Sequence, residues 1–200
     1  MTTMTLLGLS GSLRKDSTNT QLLQEAARIF GDATYIQADL NLPLYDGDLE
    51  NSAGLPQAAQ TLVTQLAQAD GVLISTPEYN SGISGVLKNA LDWISRSDGS
   101  PWLGKPVAVM SAAAGRAGGA RAQTMLRSCM VPFRPSIAHG PEILIADASA
   151  QFDDNGRLNP RYEKSLTALM EALRETSRVP DNVPCALSRS HRFSGRKPSY

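Results

Sequence analysis

Short apolar runs alternate with helix-periodic segments through the first 178 residues, and that alternation leaves a chain few ways to fold. The apolar runs stand at 4–9, 34–38, 71–75 and 106–111, and a fifth is read as split between 135–138 and 142–145. Between them, 19–30, 57–68, 85–96, 120–130 and 160–178 carry apolar residues at helical spacing. Leu22, Leu23, Ala26, Ala27 and Phe30 share one side of the first of these, and Leu166, Leu169, Met170 and Leu173 one side of the last. Strands that are apolar throughout are buried on both faces, and parallel strands need a crossover between them. The pattern predicts an α/β, doubly wound, five-stranded parallel sheet with helices on both faces. The segment 39–56, with Pro43, Pro56 and several Asp, Asn and Gly residues, is read as a long loop. Residues 1–178 form one domain. The extension 179–200 holds Pro180, Pro184, Pro198, Arg189, Arg192, Arg196 and Lys197 and few apolar residues. It is either flexible or packed on a neighbouring chain.

Three of the strand-to-helix turns have ligand-type composition. The first run leads into Ser10-Gly11-Ser12-Leu13-Arg14-Lys15-Asp16-Ser17-Thr18-Asn19. Free N–H groups and the dipole at a helix N-terminus favour an anion there. Ser10, Ser12, Ser17 and Thr18 add hydroxyls, and Arg14 adds a forked donor for phosphate. A single capping residue would explain nothing beyond a helix start. Four hydroxyls with an arginine point instead to a phosphomonoester. Neither the G-x-x-x-x-G-K-[ST] loop nor the G-x-G-x-x-G fingerprint occurs, and the loop has no cysteine nucleophile. The third run ends in Thr76-Pro77-Glu78-Tyr79-Asn80, which supplies N–H groups, an aromatic ring and an amide for a planar heteroaromatic ligand. The fourth ends in the small-residue stretch 112–119. In a sheet of order 2-1-3-4-5, ligands sit at the gap between strands one and three. The first and third turns flank that gap and the fourth closes it.

Composition excludes several classes. Lys+Arg and Asp+Glu number 19 each, so nothing points to nucleic acid. No run approaches a membrane span, and the start Met1-Thr2-Thr3-Met4 lacks the features of a signal peptide. Cys129 and Cys185 have no metal-ligand spacing and are read as free thiols of a reducing cytoplasm.

The chain resembles the NADPH-dependent FMN reductases of the flavodoxin-like superfamily, a group that includes bacterial chromate and quinone reductases. The resemblance rests on GSLRKDSTN at 11–19, PEYN at 77–80 and GVLKNALDWISR at 85–96, with support from GKPVAVM at 104–110 and GGARAQ at 118–123. It runs from about residue 4 to residue 178. It implies FMN as bound cofactor and NADPH as reductant. By resemblance, Ser10, Ser12, Arg14, Ser17, Asn19 and Thr20 contact the phosphate and ribityl chain. Pro77, Glu78, Tyr79, Asn80 and Ser81 form the loop against the isoalloxazine ring, and Ala113 and Gly115 approach its other edge through backbone atoms. Ser84 stands where the family often has proline, and Ser81 where a bulky residue is common. The first loosens the turn before the following helix, and the second leaves room over the flavin. A homodimer or homotetramer is also implied, with helix 85–96 and its preceding loop near the contact.

No catalytic side chain and no metal are required, because the cofactor carries the chemistry. The expected reaction passes reducing equivalents from NADPH through FMN to a small oxidised acceptor: a quinone, an azo compound, chromate or free flavin. The alternatives are a flavodoxin-type electron carrier without NADPH turnover and a non-enzymatic sensor of a phosphate ligand. Glu78 is read as contributing its N–H, with its carboxylate solvated or paired across subunits. Tyr79 either stacks on the ring or fills a subunit contact, and Arg116 either meets the NADPH phosphate or is solvated. Trp93 is read as core or interface, Cys129 as a small buried side chain, and His139 and His191 as structural or exposed. Lys88, Asp92 and Arg96 form a surface ion-pair row at i,i+4 spacing.

Overall fold

The computed structural model describes residues 3–178. Reading of the extension 179–200, with Cys185 and His191, falls outside the described residues. Strands β1 (Met4–Ser10), β2 (Ala33–Gln37), β3 (Gly71–Thr76), β4 (Pro106–Ala112), β5 (Ser136–Ile137) and β6 (Ile143–Ile145) form one sheet. Its order is β2-β1-β3-β4-β5, and β6 also pairs with β4. Every pairing is parallel. The fifth position is therefore occupied by two short pieces. Pro106 and Val107 pair with β5, and Met110, Ser111 and Ala112 pair with β6. This is the flavodoxin-like order, with its switch point between β1 and β3.

The strand side chains alternate between two cores, as a pleat of period two requires. Leu6, Leu73, Ala108 and Met110 face α1 (Thr18–Phe30) and α6 (Glu163–Arg178). Leu7, Leu9, Val72, Ile74, Val107 and Val109 face α3 (Gln57–Gln68), α4 (Gly85–Ile94) and α5 (Ala120–Met130). Helix α1 begins at Ser17, whose hydroxyl accepts from the Thr20 N–H, and stops at Gly31, where φ is 85°. Its apolar stripe is the predicted one. Glu25 also lies on it, buried, where it accepts from Arg28 at 2.9 Å and from Arg157 at 3.2 Å.

Three local readings are corrected. The segment 39–56 is not all loop: α2 (Gly47–Ala53) forms within it, capped by Asp46 and ended by Gly54. None of its residues is buried, so it has no apolar period to betray it. Ser84 does not loosen the turn before α4. It is buried and caps that helix, accepting from the Leu87 N–H at 3.2 Å. Trp93 is core, as read, and its indole N–H donates to the Pro43 carbonyl at 2.8 Å. The same carbonyl accepts from Asn89, whose amide oxygen takes the Tyr45 N–H. Helix α4 thereby holds the loop that carries α2. Lys88 pairs with Asp92, but Arg96 pairs with Glu50 of α2 at 3.1 Å rather than extending the row. Cys129 is free and half-buried, and His139 is exposed.

Candidate functional site

The loops after β1, β3 and β4 all leave the carboxyl edge of the sheet. The first two touch at their roots. Gly11 donates to the Ser75 carbonyl at 2.8 Å. A Cβ on Gly11 would lie 2.9 Å from Ser84 Oγ and 3.0 Å from Pro77 Cδ. The turn therefore needs a residue without a side chain, and the two loops are the banks of the switch point between β1 and β3, where sheets of this order have their crevice.

On the first bank Ser10 Oγ accepts from Thr20 Oγ1 at 2.9 Å, and Ser12 Oγ accepts from the Arg14 N–H at 3.3 Å. These bonds arrange the hydroxyls of the loop around the start of α1. The N–H groups of Thr18 and Asn19 find no acceptor among the described residues, as the first turn of a helix dictates. Arg14 and Lys15 are exposed, and neither forms an ion pair among the described residues. Free N–H groups, hydroxyls and a guanidinium without an ion pair among the described residues thus share one loop, the donor types that a phosphate takes.

Asn19 differs from the rest of this set. It is buried, and its side chain is committed to the sheet. Its amide oxygen accepts from Ser75 Oγ at 2.7 Å and from the Ala112 N–H at 3.1 Å, while its Nδ2 donates to the Ala112 carbonyl at 2.9 Å. Asn19 therefore ties α1 to the ends of β3 and β4, and what it presents toward the crevice is its backbone N–H.

On the second bank Pro77 is buried, Glu78 half-buried, and Tyr79, Asn80 and Ser81 exposed. Tyr79 and Gly82 exchange two backbone hydrogen bonds at 3.1 and 3.0 Å. Asn80 and Ser81 between them have φ of 50° and 63°. Two consecutive positive φ values are the pattern of a type I′ hairpin turn, which leaves the tyrosine ring displayed and 54% exposed. One oxygen of the Glu78 carboxylate has partners within the chain, where the sequence suggested only solvent or another subunit. It accepts from the Arg121 and Ala122 N–H groups of α5 at 3.0 and 3.2 Å.

The loop after β4 closes the far side. Ala113 has both backbone groups bonded, its N–H to Ile145 and its carbonyl to Ala148. Gly115 is exposed and its N–H has no acceptor among the described residues. Of the two expected contacts, Gly115 is the one with an open donor. Gly118 and Gly119 have φ of 57° and 91°, and a Cβ on Gly119 would lie 2.6 Å from Ser111 Cβ. Beneath this loop Ser111 Oγ donates to the Gly118 carbonyl and accepts from Gln123, which also donates to Ile143. Sequence reasoning missed this buried layer, and the only signal for it was hydroxyls at the ends of apolar strands. Groups of acidic, histidine or cysteine side chains able to hold a metal do not occur among the described residues. Nor does a helix long and apolar enough to cross a membrane.

A five-position parallel sheet of this order, with its switch point between β1 and β3, defines the flavodoxin-like class of the doubly wound folds. The comparisons agree. The sequence model of the NADPH-dependent FMN reductases matches residues 4–149, and the chain belongs to that family. It is 44% identical over 155 residues to an NAD(P)H-dependent FMN reductase of Pseudomonas aeruginosa, covering 76% of this chain and 83% of the relative. It is 40% identical over 139 residues to a quinone reductase of Escherichia coli K12, covering 68% and 74%. Among solved structures it resembles a flavoenzyme NAD(P)H:(acceptor) oxidoreductase of Paracoccus denitrificans. That match has a TM-score of 0.78 and 31% identity, and covers 87% of this chain and 97% of that one. The protein is an oxidoreductase that works with FMN and NAD(P)H. The first bank offers free N–H groups and hydroxyls of the kind a phosphate takes, and the other two loops display the Tyr79 ring and the open Gly115 N–H.

Proposed function

We propose that the protein takes reducing equivalents from NADPH at the crevice and delivers them to a small quinone-type acceptor that occupies the same space in turn. The observation that carries this reading is that three loops leave the same edge of the sheet, with free donors on the first and third and an exposed aromatic ring on the second. Bound FMN supplies the hydride chemistry. In this reading Ser10, Ser12, Arg14, Ser17, Thr20 and the Asn19 N–H grip the phosphate and ribityl chain. Pro77, Glu78, Tyr79, Asn80 and Ser81 set the ring side, while Ala113 shapes the far wall and Gly115 offers its N–H there. The N–H groups aimed at the crevice favour negative charge on a reduced ring, as in an oxyanion site. The short Ser81 side chain leaves the crevice open to flat acceptors. Exposed Arg116 stands beside Gly115 and supports a preference for the 2′-phosphate of NADPH over NADH.

Exposed Leu13, Tyr79 and Met125 near this edge, and Leu44 and Tyr45 beside α4, support a homodimer or homotetramer, which light scattering tests. A cytoplasmic location belongs to the same reading, since NADPH is the reductant.

The test is anaerobic mixing of FMN-loaded protein with NADPH and with NADH, followed by an oxidant panel. Rapid bleaching of the yellow colour, recovery on adding quinone and parallel double-reciprocal lines are expected. Converging lines overturn the shared space. Bleaching too slow to support turnover favours an electron carrier instead.

A further inference from the structure

Helix α5 starts without a cap of its own. The residue before it, Gly119, has no side chain to offer. Its second and third N–H groups, from Arg121 and Ala122, are taken instead by Glu78, more than forty residues upstream. The Arg121 guanidinium reaches back to Ser81 Oγ at 3.2 Å. A Cβ on Gly82 would lie 2.8 Å from Met125 Sδ, so the hairpin also packs on the next turn of α5. Residues 121, 122 and 125 of α5 thus hold the hairpin at Glu78, Ser81 and Gly82.

The hairpin has reason to be held. Asn80 and Ser81 both occupy the left-handed region that side chains disfavour. A turn of this type keeps its shape when the surrounding structure over-determines it. We propose that Glu78 is a positioning residue. Its carboxylate caps α5 and so fixes the Tyr79–Gly82 hairpin in the shape that receives the cofactor. In this role the carboxylate acts through the two N–H donors that engage its oxygen facing α5. It also occupies the positive end of α5, leaving the start of α1 as the anion site of the crevice. The effect on the cofactor rests on the FMN reading above, whereas the latch itself is tested without cofactor.

The experiment compares Glu78→Ala and Glu78→Gln with the unaltered chain. Amide hydrogen exchange is followed on the cofactor-free protein, and FMN affinity by quenching of flavin fluorescence. Glutamine keeps an acceptor oxygen and alanine does not. In Glu78→Ala, protection of the Tyr79 and Gly82 amides falls and the Kd for FMN rises, each by about tenfold from loss of a helix cap. Glu78→Gln stays near the unaltered chain in both. Exchange in β1 and β3 is unchanged in both variants, which separates loss of the latch from loss of the fold. Unchanged hairpin protection in Glu78→Ala would overturn the latch, and lost protection with unchanged FMN affinity would overturn its positioning role. Equal loss of affinity in both variants with the hairpin intact would assign the negative charge, not the cap, as what matters. Failure of the unaltered chain to bind FMN would refute the functional reading and leave the exchange result standing.

Discussion

Replacing Asn19 with alanine separates a residue that holds the sheet together from one that only touches a ligand. The native side chain makes three hydrogen bonds, to Ser75 Oγ and to both backbone groups of Ala112, and is 3% exposed. Alanine removes all three, each with a net contribution of about 1 kcal/mol. It also strands the Ala112 N–H and carbonyl where few substitutes are in reach, so the loss is at least about 3 kcal/mol. With a urea dependence of about 2 kcal/mol per molar, the unfolding midpoint falls by at least about 1.5 M. The assay is urea unfolding of the cofactor-free protein, followed by the fluorescence of Trp93 and Trp102, which are both buried. Weaker FMN binding follows because α1 and the end of β4 are no longer held in register. A cofactor-free stability within about 0.5 kcal/mol of the unaltered chain would refute the scaffold role and return Asn19 to the ligand contacts.

Three further outcomes are expected. Gly119→Ala destabilises by about 3 kcal/mol in chemical denaturation, because a left-handed residue with a Cβ is strained and Ser111 must shift away from Gly118 and Gln123. Arg14→Ala raises the Kd for FMN at least tenfold, about what one charge-assisted phosphate bond is worth, and leaves thermal stability unchanged. Burial by itself would raise the Glu25 carboxyl, but hydrogen bonds and charge from Arg28 and Arg157 more than offset it, so its folded pKa lies below the usual value of 4.5. Such a group contributes stability that is present above 4.5 and lost as pH falls through the folded value. Melting temperatures of Glu25→Gln should therefore lie below those of the unaltered chain at neutral pH and converge with them in acid.

Strands β1, β3 and β4 were legible because they are near-continuous apolar runs buried on both faces, β2 was legible although only half-buried, and even the split fifth position showed in the polar break between 138 and 143. Helix α2 was not legible, since a helix that buries nothing leaves only its caps as signals. Its presence also redirected Arg96 to Glu50, a partner that no i,i+4 rule contains. In the candidate site, the hydroxyl-rich turn and the PEYN hairpin could be read from composition. The engagements of Glu78 with α5 and of Asn19 with β3 and β4 could not. Apart from the Ser75 hydroxyl, their partners are backbone groups, whose identity no side chain advertises, and all lie far along the chain.

The broken rim of the sheet has a consequence for solubility. With 19 basic and 19 acidic side chains the molecule has little net charge to keep copies apart. A continuous fifth strand would present a long row of open amides and carbonyls, a template for strand-to-strand clumping. Here that rim is divided into pieces of two and three residues, each too short to recruit a stray strand. An insertion or substitution that joined them into one straight strand would be expected to fold and yet precipitate.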